Sequence, residues 1–272
     1  MRAFCFTVDL DRDSNIHVPG QTSAGSMDRG YGIEPRFDSS LRGLRILSEL
    51  FSECGVKATF FAEGRTLESI GSAEYLDGHE VGVHGYDHED FTLLRTDEKM
   101  MVLQRSMDVV KDVMGECPKC FRAPYMRTDE ETMKALSKMG IRYDSSRYTE
   151  LGRKMFPFAD GKICEVPISE GKDRDGNKIV SYLWPMHEEK RGPEDYIEMA
   201  SFVEEGIFNI ATHTWHIVES RADGEMSDER MKRNIDNVRK LIVSLTDLGY
   251  ESLTIPDAVK AVSAGMPRRA LP

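Results

Sequence analysis

Two histidines four residues apart, in H84-G-Y-D-H88, are the side chains of this sequence best placed to do chemistry, because one cation can bridge both imidazoles. On a helical turn that spacing sets the two rings on one face. Two imidazoles make half a site, so a carboxylate must come from elsewhere. Asp9 and Asp11, in T7-V-D-L-D11, are two apart in a β-prone run, which puts both on one side of a strand. One can ligate a cation beside His84 and His88 while the other stays free as a base. Two imidazoles and one carboxylate leave a fourth position open, as in catalytic zinc sites. Zinc lowers the pKa of bound water from ~15.7 to about 7, and a free carboxylate can take the proton as that water attacks a carbonyl. Arg122, in R122-A-P-Y125, is suited to hold the base ionised. His213, in H213-T-W-H216, is suited to protonate a departing amine, with His216 a second candidate for that acid.

Each piece has a plainer reading by itself. A D-x-D is commonly a turn or a cap. A single H-x-x-x-H can be a pair of surface histidines, R-A-P-Y a helix-entry turn in which Pro stops a strand, and His213 a hydrogen-bonded core residue. What favours chemistry is that all four segments sit at the ends of predicted strands.

Those strands are the short apolar runs at residues 3–8, 57–62, 80–83, 119–121, 140–143, 163–168 and 206–212. Amphipathic patterns at 40–51, 96–114, 129–139, 193–204 and 227–249 predict helices between and after them. T96-D-E-K and S227-D-E-R open two of these with a capping residue and early acids. The alternation predicts an α/β fold with a largely parallel sheet, and seven or eight strands fit a closed or nearly closed (β/α) barrel. In such a barrel the C-terminal strand ends converge on one open face. Mononuclear iron oxygenases also use two histidines and one carboxylate, but on a β-sandwich that this alternation does not suggest.

The chain has 272 residues, enough for one barrel over residues 1–264 with a frayed tail at 265–272. Its 47 acidic and 36 basic residues give a net charge of −11, which argues against nucleic acid and against an anionic membrane surface. No stretch reaches the ~20 apolar residues of a membrane span, and the opening segment does not read as a signal peptide. Five cysteines in a leaderless chain point to a reducing, cytoplasmic setting. C117-P-K-C120 reads as two reduced structural thiols, with Cys120 entering a strand. Residues 12–38, rich in Gly, Ser and Pro, read as a binding loop or lid, and G171-K-D-R-D-G-N-K178 as an exposed turn between short strands. Composition sets no bar to a homo-oligomer.

The ordered set T-x-D-x-D, A58-T-F-F61, H-x-x-x-H, R-x-P-Y and a late histidine, spread over residues 3–216, resembles the polysaccharide deacetylase family, carbohydrate esterase family 4. The resemblance implies a distorted, incomplete (β/α) barrel that removes acetyl groups from sugars with a divalent metal, usually zinc. It implies Asp9 as the catalytic base and Asp11, His84 and His88 as metal ligands. It further implies Arg122 orienting the base, the backbone N–H of Tyr125 facing the oxyanion, His213 as the acid and Asp144 tuning it. Trp215 would form the wall that receives the acetyl methyl, with His216 beside it at the substrate. Here a leucine separates the two aspartates, and Gly85 follows the first histidine where the family usually has Ser or Thr. These departures lean toward a subgroup holding cytoplasmic peptidoglycan-deacetylase-like and allantoinase-like proteins, so a hydrolase of cyclic amides or ureides is the second expectation. A sugar-binding barrel without catalysis is the third.

Overall fold

The computed structural model describes residues 1–11, 37–71, 73–173, 175–220 and 223–263. Most of the Gly/Ser/Pro loop, Asp13 within it, and the 265–272 tail lie outside them. The strands, in chain order, are β1 (Arg2–Leu10), β2 (Ala58–Ala62), β3 (Glu80–Val83), β4 (Cys120–Phe121), β5 (Tyr143–Asp144) and β6 (Tyr148–Glu150). They continue with β7 (Lys154–Met155), β8 (Phe158–Asp160), β9 (Ile163–Glu165), β10 (Ile168–Lys172), β11 (Lys178–Val180) and β12 (Glu205–His213). The helices are α1 (Asp38–Cys54), α2 (Gly64–Ile70), α3 (Thr96–Met114), α4 (Glu130–Met139), α5 (Trp184–His187), α6 (Pro193–Phe202), α7 (Asp228–Asp247) and α8 (Ile255–Ser263).

One sheet runs β7-β12-β1-β2-β3-β4-β5-β9-β8, with the short strand Glu251–Ser252 also on β1. All its pairings are parallel except β8 with β9, so the expected α/β architecture, a distorted and incomplete (β/α) barrel, is what the chain forms. The charged stretch after β9 makes the expected hairpin, β10 against β11, antiparallel with Gly171 opposite Ile179. Ser227 caps α7 by accepting from the Arg230 N–H. Thr96, expected as a cap, is instead the first helical residue of α3, and Arg95 precedes it with its N–H held by Glu98.

β1 is buried on both faces, as a central parallel strand must be. Its even residues Phe4, Phe6, Val8 and Leu10 join the helices in the main core, with Leu44, Leu47 and Phe51 of α1. Its odd residues follow a different course. Ala3 and Cys5 pack with Phe61, Cys120, Cys164 and Ile207, and α8 closes this end with Ile255, Ala258, Val259 and Val262. Thr7, Asp9 and Asp11 continue the same row toward the other end. Apolar floor and polar mouth are thus consecutive stretches of one strand face.

Register fixes the height of the mouth. Asp9 lies opposite His213 on β12 and opposite Phe61 on β2. Ala62 faces Val83, Val83 faces Phe121, and Phe121 faces Asp144. Hydrogen bonds carry the ladder one residue further: Glu63 N to Leu10 O, His84 N to Ala62 O, Arg122 N to Val83 O and Ser145 N to Phe121 O. The residue after each strand end is therefore held as firmly as the strand itself. Among the described residues no helix is long and apolar enough to cross a membrane.

Candidate active site

Three of the sequence-picked residues come together as a donor cluster. One atom each from Asp11, His84 and His88 lies within 4.8 Å of the others, and all three residues are buried. The Asp11 Oδ2–His88 Nε2 distance is 3.7 Å. His84 donates from Nδ1 to the Arg122 carbonyl at 2.8 Å, which leaves Nε2 as the lone-pair nitrogen and fixes the ring.

The segment linking the two histidines is a loop, not the helical turn its spacing suggested. Gly85 at φ 73° and His88 at φ 58° reverse the chain in the left-handed region, and Tyr86 N–H donates to Glu89 at 2.9 Å. A Cβ at position 85 would stand 2.8 Å from a Glu89 carboxylate oxygen and push it aside, and the positive φ favours glycine there. The residue that departs from the family pattern is thus one that this tight turn favours.

Asp9 sits beside the cluster in a different environment. Burial alone would raise its pKa, but Arg122, His84, His213 and the Tyr182 hydroxyl together hold it below the usual value. Arg122, fully buried, spends its guanidinium on four hydrogen bonds: to Asp9 (3.0 Å), Thr7 Oγ1 (2.8 Å), Ser145 O (2.8 Å) and Ser145 Oγ (2.8 Å). It also covers the Phe61 ring at 4.4 Å. Asp11 has weaker support, from its own backbone N–H and the Trp215 indole. Burial, then the charges of Asp9 and Glu63, push its carboxyl well above the usual range, and among the described residues its Oδ1 has no well-aligned hydrogen bond.

His213 closes the other side. Its Nε2 lies 3.8 Å from Asp11 Oδ2 and 3.0 Å from the Tyr182 hydroxyl. Trp215 is fully buried, 5.1 Å from the His213 ring and stacked on His216 at 4.4 Å. His216 is fully buried too, and Glu188 takes its Nε2 at 2.9 Å, so of the two histidines His213 is the one turned to the cluster.

Tyr125 adopts φ 60° directly after Pro124, with its ring edge-on to His88 at 4.5 Å. Backbone strain of this kind at a strand end is concentrated at working sites. A hollow of about 610 Å³ lined by Thr92, Met126, Arg127, Ser146, Arg147 and Tyr148 adjoins this turn.

Asp144 stands apart from the role the resemblance implied. Its carboxylate accepts from Ser145 N (2.9 Å) and Ser146 Oγ (2.5 Å), and Glu165 on β9 donates to it, burial having raised both acids. A partner seated on His213 is Tyr182, which sequence reasoning passed over. Tyr182 lies just after β11 in S181-Y-L-W184, and its place comes from an isolated parallel bridge to Ala211, a contact no local pattern announces. Of the C117-P-K-C120 pair, Cys117 is exposed and Cys120 buried in β4, both free thiols.

Residues 37–143 match the sequence profile of the family described as Polysaccharide deacetylase. The chain is 33% identical over 127 residues to "Peptidoglycan deacetylase" of Helicobacter pylori, 43% of each chain being covered. It is 31% identical over 99 residues to "Chitin deacetylase 1" of Cryptococcus neoformans var. grubii, covering 35% of this chain and 21% of that one. The matches span less than half the length of these two relatives. Among solved structures, a family 4 carbohydrate esterase from Streptomyces lividans in complex with acetate superposes with a TM-score of 0.54. At 15% identity, over 92% of this chain and 91% of that one, it is a likeness of fold.

Proposed function

We propose, from the match of residues 37–143 to the polysaccharide deacetylase profile, that the chain is a divalent-metal-dependent hydrolase that removes the acetyl group from an N-acetylated sugar. What carries the reading is the placing of the buried Asp11, His84 and His88 cluster beside a carboxylate, Asp9, held ionised by Arg122. The names of the relatives, acting on peptidoglycan and chitin, support the sugar class.

The donor set fits a cation. Asp11 is buried among like charges with an oxygen short of hydrogen bonds among the described residues, and a cation would satisfy both deficits. Two imidazoles and a carboxylate suit zinc, which we take as the metal. Bound there, it supplies Lewis acidity toward a carbonyl oxygen and a water. Asp9 then accepts the water's proton, and Arg122 keeps its carboxylate oriented between turnovers. The backbone N–H of Tyr125 is assigned to the developing oxyanion, and His213 gives its proton to the departing nitrogen. Trp215, against His213, provides an apolar wall for the acetyl methyl.

The test is acetate release from N-acetylglucosamine oligomers with and without added zinc, paired with elemental analysis. We expect about one zinc per chain, lost in His84→Ala and His88→Ala together with activity. A protein that takes up no metal after reconstitution, or that takes it up and releases no acetate from any N-acetyl sugar, overturns the reading.

A further inference from the structure

The hydroxyl of Tyr182 lies between the two groups that handle protons. It donates to Asp9 Oδ2, and its oxygen is 3.0 Å from His213 Nε2. A phenol has one proton to give. With that proton on Asp9, the contact to His213 is made by the imidazole donating Nε2–H to the phenol oxygen. The same nitrogen stands 3.8 Å from Asp11 Oδ2, so it faces the cation pocket.

The phenol is held in place from behind. Ala211 N donates to Ser181 O (2.9 Å) and Leu183 N to Ala211 O (2.7 Å), bracketing Tyr182 against β12. Ser181 Oγ donates to Asn209 O at 2.6 Å, and Tyr196 OH to Tyr182 O at 3.3 Å. The side chain is buried, and its ring lies 5.1 Å from that of His213. Asp9 keeps its Arg122 hydrogen bond whether or not the phenol is there, whereas the contact with His213 depends on the hydroxyl alone.

We propose that Tyr182 is a positioning residue for the acid, holding His213 with its proton-bearing Nε2 toward the departing nitrogen and linking it to Asp9. The inference rests on the deacetylase reading. In the reaction, a water O–H bond breaks toward Asp9 as the new C–O bond forms. The C–N bond then breaks as its nitrogen takes the Nε2 proton of the His213 imidazolium, which keeps its Nδ1 proton, giving acetic acid and a free amine. Asp9 now has a proton too many and His213 one too few. Both return to their starting states when Asp9 gives its proton to the phenol oxygen and the phenol gives its own to Nε2.

The test is leaving-group dependence in the zinc-loaded enzyme. For an N-acetyl sugar, Tyr182→Phe is expected to lower kcat about 100-fold with KM within about twofold, the scale of a displaced general acid. For 4-nitrophenyl acetate, whose phenolate leaves without protonation, the same variant is expected to lose at least about tenfold less than on the amide, what remains being the hydroxyl missing from Asp9. On the amide, adding Tyr182→Phe to His213→Ala should cost no more than Tyr182→Phe costs on the ester, because the rest of its effect passes through His213. Equal losses on ester and amide, no loss on the amide, or amide losses of the two single variants that simply multiply in the double variant would each overturn the inference. If Tyr182→Phe does not fold, nitrogen NMR of His213 in the metal-loaded wild type decides: a proton on Nε2 supports the inference, and a proton on Nδ1 alone overturns it. Wild type that hydrolyses neither substrate defeats the deacetylase reading and this inference with it. An active wild type with an indifferent variant defeats only the inference.

Discussion

Around Asp9, the mouth of the barrel is complete as it stands: Arg122 makes four hydrogen bonds, and the carboxylate receives one from Arg122 and one from Tyr182. Around Asp11, two residues along the same chain and just past the strand end, a buried carboxylate is crowded by Asp9 and Glu63, and among the described residues one oxygen lacks a hydrogen bond. The difference separates two roles. A side that must keep one charge state through a reaction is built to be self-sufficient. A side that must take up a ligand is left incomplete, and the protein bears the cost until the ligand arrives.

The strongest way to break this comparison is at Arg122. Arg122→Ala leaves Asp9 buried without its cation and should cost about 3–5 kcal/mol of stability, read by urea unfolding. Arg122→Lys should recover little of it, because an ammonium cannot span Asp9, Thr7 and Ser145 together. A loss below about 1 kcal/mol, the scale of a surface ion pair, would show that the Asp9 side is not the stable half.

Zinc should act with the opposite sign on the other half. At a concentration 100 times Kd it is expected to stabilise the wild type by about 2.7 kcal/mol. Asp11→Asn should abolish that gain. In chelated buffer the same change should leave stability level or raise it, by up to about 2 kcal/mol, since it removes a crowded buried charge. A raised carboxyl pKa makes folding less favourable as pH climbs past the unfolded value, so this difference should shrink below pH about 4. Asp11→Asn that unfolds the metal-free protein would erase the distinction between the halves.

The smallest effect lies behind the mouth. His187 is fully buried, pairs with Thr212 Oγ1 at 2.8 Å, and burial lowers its pKa to about 3. Its folded pKa is below its unfolded one, so its contribution is complete above pH 6.5 and falls as pH drops toward 3. The slope it adds has a ceiling of about 1.4 kcal/mol per pH unit. His187→Gln should flatten the acid limb of a stability profile measured between pH 6.5 and 4. A profile unchanged by that substitution would mean the ring is charged in the folded protein.

Much of the first half of the barrel was legible because its signals are local. β3 and α3 have the bounds their apolar patterns suggest, and the ends of β1, β3, β4 and β12 stand where the reactive residues begin. The helix α8 that seals the floor was not anticipated, and neither was Tyr182. Tyr182 sits in a charged stretch whose pattern announces only a hairpin, and its importance depends on a bridge to a strand 29 residues away. Asp144, the last residue of β5, is the converse case: the resemblance gave it the tuning of His213, while its side chain meets Glu165, which no spacing in the chain connects to it.

By itself, then, the sequence determined the parallel strand-and-helix alternation and the row of reactive residues at strand ends. Periodicity and backbone preference act over a few residues and need no knowledge of the rest. Only the tertiary structure decided which carboxylate is held charged and which is left for a cation, that H84-G-Y-D-H88 closes as a loop, and that Tyr182 rather than Asp144 sits on His213. Those outcomes follow from burial and from charges brought together by a 113-residue separation between Asp9 and Arg122. The energy of a buried charge is set by what surrounds it in space, and no stretch of chain carries that information alone.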